Sequence, residues 1–151
     1  MTSRSDKATN TVVANGINAT LSGTTPAKGN IISTDDFNHI TFAYFTGTVT
    51  DAGTASGFAV EIQESVDTAD ANFTAVADAH LTALESTLTV TSDAADNDAI
   101  GIIGYLGTLP YVRAVVTGTT GTNAVVIGVW LKQRSQYAPP SSNVAADVAA
   151  T

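Results

Sequence analysis

Short apolar runs, most of them alternating with polar residues, are separated along this chain by clusters of Gly, Thr, Asn and Asp, a pattern of strands and turns. His39–Thr50 (HITFAYFTGTVT) is apolar on both faces and predicts a central strand. In Gly57–Val66, Phe58, Val60 and Ile62 fall on one face, and Ala59, Glu61, Gln63 and Ser65 on the other. Thr11–Leu21 is a weaker strand, interrupted by the turn signal Asn15-Gly16. Ile31-Ile32 starts a short strand, and Phe73–Val76 is short or lies at an edge. Ser86–Thr91 is a strand with Leu88 and Val90 inward, and Ala99–Tyr105 is one weakened by Gly101 and Gly104. Asp78–Glu85 (DAHLTALE) predicts two turns of helix, with Asp78 as N-cap and Leu81 and Leu84 on one side.

The clearest hairpin expected is Pro110–Thr117 with Ala124–Lys132, turning near Thr120-Gly121. Val112, Ala114 and Val116 share a face, as do Val125, Ile127, Val129 and Leu131, and the turn pairs these two faces. Tyr111 and Trp130 then become cross-strand neighbours on the other side, where Arg113 can lie over a ring. That side is either a half-buried second layer or a contact surface, since Trp, Tyr and Arg are the types that anchor interfaces.

Composition sharpens the fold class. Only 13% of residues are charged, about half the usual share, and Thr and Ala number 24 each. Thr suits strands because its branched β-carbon fits a pleated surface. The expectation is an all-β antiparallel sandwich, Ig-like or jelly-roll, spanning 11–134, with at most one short helix near 78–85. Residues 1–10 and 135–151 are expected to be extended arms; Pro139-Pro140 stops any strand in the second.

The net charge of −8 argues against nucleic acid as a partner, because phosphate binding needs clustered Lys and Arg. No run approaches the roughly 20 apolar residues of a membrane span, and Met1–Asn10 has no apolar core of a signal peptide. The absence of cysteine excludes disulfides and thiolate metal sites.

Candidate chemistry is thin. Glu61 and Glu64 stand three apart, and in a strand an odd separation puts two carboxylates on opposite faces, whereas an acid–base pair must face one substrate. His39 and His80 are 41 residues apart with no metal-ligand spacing between them. Asp93, Asp96 and Asp98 share a loop that lacks the frame of an EF-hand and reads as a solvated turn or an inter-subunit cation site. No phosphate loop or nucleophile elbow occurs, so no catalytic residue, metal or cofactor is expected.

The stretches Ile62-Gln63-Glu64-Ser65, Phe73-Thr74-Ala75-Val76 and Tyr111-Val112-Arg113-Ala114-Val115-Val116, in this order across roughly residues 37–132, resemble small tailed-phage virion proteins of the head decoration type. The Pro-containing C-terminal arm and the DAHLTALESTLTVT stretch depart from that pattern. The resemblance implies a β-sandwich cementing the outer surface of a bacteriophage capsid. Its partners would be the major capsid protein and neighbouring copies of itself. Tyr111, Arg113, Trp130, Tyr137 and the two arms are the expected contacts. The competing readings are a tail-tube, connector or fibre subunit and a glycan-binding tail module.

Overall fold

The computed structural model describes residues 10–51, 58–88, 100–119 and 122–133. Among these residues nine strands follow one another: β1 (Thr11–Ser22), β2 (Ala27–Lys28), β3 (Ile32–Ser33), β4 (His39–Asp51), β5 (Phe58–Ser65), β6 (Thr74–Ala75), β7 (Ile100–Tyr105), β8 (Tyr111–Gly118) and β9 (Thr122–Gln133). They form two antiparallel sheets, one in the order β1-β9-β4-β7 and the other in the order β2-β8-β5-β6, with β3 also paired to β8. We call these sheet A and sheet B. The chain changes sheet at every step except β2–β3 and β5–β6. With β2 and β3 counted as one interrupted strand, this is the eight-strand order of a jelly roll, one of the two sandwich topologies expected.

The core lies between the sheets and is built by strict alternation. Ala14, Trp130, Phe42 and Ile103 form one row across sheet A and point inward, toward Val60, Ile62, Val112, Ala114 and Val116 of sheet B. Phe42 and Trp130 meet at 5.0 Å between ring centroids, and Tyr44 meets Phe58 edge-on at 6.0 Å across the two sheets. Burying each large side chain here contributes about 1.5–3 kcal/mol. Gly128 makes room for this cluster, since a Cβ there would stand 2.5 Å from the Phe42 ring.

Several local expectations change. The break at Asn15-Gly16 is a β-bulge, and β1 continues through it to pair with β9 along its whole length. Asp78–Glu85 does not form two helical turns. Asp78–His80 and Glu85–Leu88 are separate 3-10 turns, a third covers Asp70–Asn72, and Asp78 makes no side-chain cap. Leu81 is buried and bridges to Tyr105 while Leu84 is exposed, so the two do not share a face. Leu81 and Thr82 lie along the edge strand β7, with Thr82 N–H donating to Gly104 O at 2.9 Å, so tertiary pairing overrides helix propensity. Ser86–Leu88 is correspondingly 3-10 and not strand, although Leu88 is buried as expected; the rest of that expected strand, residues 89–91 with Val90, lies outside the described residues.

The expected hairpin is absent. β8 sits in sheet B between β5 and the β2–β3 pair, whereas β9 sits in sheet A between β1 and β4. Alternation along a strand says which face is buried but not which sheet the strand joins.

Candidate functional site

The two sheets treat their outer faces differently. Sheet B closes its own. Arg113 points outward from β8 yet is only 4% exposed. Its Nε donates to Gln63 Oε1 at 2.8 Å, its guanidinium pairs with Asp70, and the Phe73 ring covers it at 4.2 Å. Lys28 reaches the other carboxylate oxygen of Asp70, and the Lys28 hydrogen bond first, then that of Arg113, hold the Asp70 carboxyl below its ordinary value. The 66–73 connection is itself knotted by Asp67, whose carboxylate accepts from Ala69 N–H and from the Asn72 amide.

Sheet A leaves its outer face open and apolar. Register places the outward residues in rows running from β1 through β9 and β4 to β7. Asn18, Ile127, Phe45 and Ile100 form one row, and Asn15, Val129, Ala43 and Ile102 the next. Val13, Leu131 and Thr41 form a third. Ile100 is 81% exposed, Ile102 62% and Phe45 46%. Among the described outward positions of this face there is no carboxylate, lysine or arginine, and His39 stands at its rim. The charged residues of the four strands are Asp51 and Lys132. Lys132 points inward, donating to Ser33 O at 3.0 Å beneath the Phe37 ring and so clasping the two sheets together.

The expected contact residues do not gather here. Trp130 is fully buried in the core, so it cannot touch a partner in the folded chain. Its Nε1 meets no acceptor among the described residues. Arg113 lies over Phe73 rather than over Tyr111 or Trp130 and is consumed by the network just described. Tyr111 is half-buried at the start of β8, on the other sheet from Trp130. Tyr137 and the loop Asp93–Asp98 lie outside the described residues, as do both arms apart from Asn10. The signal for the apolar face was present in the sequence. Val125, Ile127, Val129 and Leu131 form the more hydrophobic row of β9, and they are the outward one.

The carboxylates do not converge. Glu61 and Glu64 diverge as the strand period requires: Glu61 accepts from the Gln63 amide at 2.6 Å on the outer face, while Glu64 accepts from the Tyr105 hydroxyl at the end of the sandwich. Burial and that bond push the Tyr105 phenol well above its usual range. Glu85, whose Oε1 accepts from Ile62 N–H at 2.5 Å, is raised by burial first and by the nearby charges of Glu61 and Asp78. A cleft of about 330 Å³ lies between the β3–β4 and β7–β8 connections, with Asp35 and Tyr105 as its ionisable lining residues. Among the described residues no three His, Asp or Glu side chains are grouped to hold a metal ion, and no helix is long and apolar enough to cross a membrane.

No protein-family model matches the chain, and no curated protein matches it either.

Proposed function

We propose that this protein is a structural component of a bacteriophage virion, which decorates the outer surface of the capsid and stabilises it through contacts with the major capsid protein and with neighbouring copies of itself. The observation that carries the reading is the open face of sheet A. A face whose described outward residues are Ile, Val, Leu and Phe interspersed with Asn15, Asn18 and Thr41, with no Lys, Arg, Asp or Glu among them, on a chain of net charge −8, is suited to packing against protein and poorly suited to phosphate or ionic ligands. The resemblance of residues 37–132 to head decoration proteins points the same way, and the jelly roll is an architecture that capsid domains use. Many copies on one shell turn individually weak contacts into firm attachment.

The test is co-sedimentation with expanded capsid shells that lack the protein. Saturable binding of the full chain is the expected result. No binding by the full chain overturns the proposal.

A further inference from the structure

We infer that the outer face of sheet A is taken by the same face of a second copy of this chain, two sandwiches stacking face to face about a two-fold axis. The inference rests on the reading of the protein as one that acts by packing against other chains, and it names the partner of this surface.

Charge selects a second copy as the occupant. Two chains of net charge −8 repel, and the repulsion is least where they meet through faces that carry no charge themselves. The described carboxylates lie on sheet B or in the connecting segments, apart from Asp51 at the end of β4. Face-to-face stacking through sheet A therefore keeps the carboxylates on the outer side of sheet B, Glu61 and Asp70, away from the contact. Stacking through sheet B would instead press Glu61 and Asp70 of both copies together. A partner recognised by charge has nothing to hold on this face.

Shape and size agree. Sheets stack about 10 Å apart when apolar side chains from both interdigitate, and the rows of Phe45, Ile100, Ile102, Ile127 and Val129 offer such ridges to an identical surface. Four strands about 4.8 Å apart, over some eight residues at about 3.4 Å each, span roughly 500 Å². That is at the upper part of the range for the largest apolar patch on a monomer, about 300–600 Å², and below the roughly 600 Å² at which one side of a stable interface begins, which is the size of a weak, transient contact. The pair is accordingly a weak one, reinforced wherever copies are concentrated.

The test is sedimentation velocity of the purified full chain without shells, from low micromolar to several hundred micromolar, on the natural sequence, Ile102→Lys and Val66→Lys. Ile102 and Val66 are both well exposed, at 62% and 65%, so neither lysine disturbs the core, and circular dichroism checks that both variants fold. The expected result is a concentration-dependent monomer–dimer equilibrium, at least tenfold weaker in Ile102→Lys and unchanged in Val66→Lys. A monomer throughout overturns the inference, as does a dimer indifferent to Ile102→Lys or a ring of three or more copies. The shell experiment separates the two proposals. A monomer that still binds shells removes only the face-to-face pair, and a dimer that ignores shells removes only the virion reading.

Discussion

Trp130 shows how far a side chain's type can mislead about its role. It has the chemistry of an interface anchor, but Phe42 packs against it and the row Ala14–Trp130–Phe42–Ile103 fixes it inside sheet A. Trp130→Ala should therefore destabilise the fold by about 3–5 kcal/mol, the cost of a large buried aromatic, whereas Ile102→Lys on the outer face should stay within about 0.5 kcal/mol. Urea unfolding of the two variants checks this; equal effects would contradict the assignment of faces. Gly101 gives a second prediction at the same scale. A Cβ there would stand 2.1 Å from the Tyr44 ring. That ring cannot swing away cheaply, because its hydroxyl donates to Leu88 O at 2.6 Å. Gly101→Ala should cost about 1–3 kcal/mol by overpacking, read as a lower urea midpoint at unchanged slope. Arg113 was legible as a group that would lie over a ring, but Phe73, the ring it finds, is brought to it by the 66–73 connection, and no local pattern announces that contact.

Strands were legible because an element's period is written in its own residues. β4, β5, β8 and β9 fall close to where alternation puts them. Their partners were not legible, because pairing in a jelly roll joins distant segments: Thr11 pairs with Gln133, and β8 and β9, adjacent in sequence, separate into different sheets. The orientation of β9 was also hidden. Its inward row contains Gly128 and Lys132, and neither a glycine nor a lysine announces a core face; the Phe42 ring and the Ser33 carbonyl are what need them there. At this scale the short connections carry the pH dependence. The Asp70 carboxyl, held low by Lys28 and Arg113, contributes stability that is present above its ordinary value of 3.8 and lost as pH falls through its lower folded value. Glu85 works in the opposite sense. Its folded value lies above the ordinary 4.5, so its charged form costs stability at neutral pH, and that cost is relieved as pH falls through the folded value. The melting temperature should rise from neutral pH into the mildly acidic range and fall again below about pH 3.8. Glu85→Gln should flatten the upper limb and Asp70→Asn the lower one. A melting temperature that falls steadily from pH 7 would refute the Glu85 half of the argument.

For the whole molecule, the decisive feature is that the last of its described strands is an inner one. β9 is the eleventh-hour member of sheet A, arriving between β1 and β4 and hydrogen-bonded to both, so the sheet cannot exist without it. A chain cut after residue 121 leaves β1 without a partner in sheet A and opens the Trp130–Phe42 core. It should be unfolded by circular dichroism and bind a hydrophobic dye. Such long-range pairing also makes folding slow, in milliseconds to seconds, because the ends of the domain must meet before either is rewarded. Deleting residues 134–151 is a different operation, since every described pairing of β9 ends at Gln133. That chain should fold with the stability of the full one and, if sheet A alone makes the pair, should dimerise with unchanged affinity. Its binding to shells then isolates the contribution of the C-terminal segment: affinity lost with dimerisation intact assigns attachment to that segment, and affinity retained assigns it to the sandwich. A fall in stability on removing 134–151 would contradict the domain boundary, because it would mean that residues beyond the last described strand contribute to the sandwich.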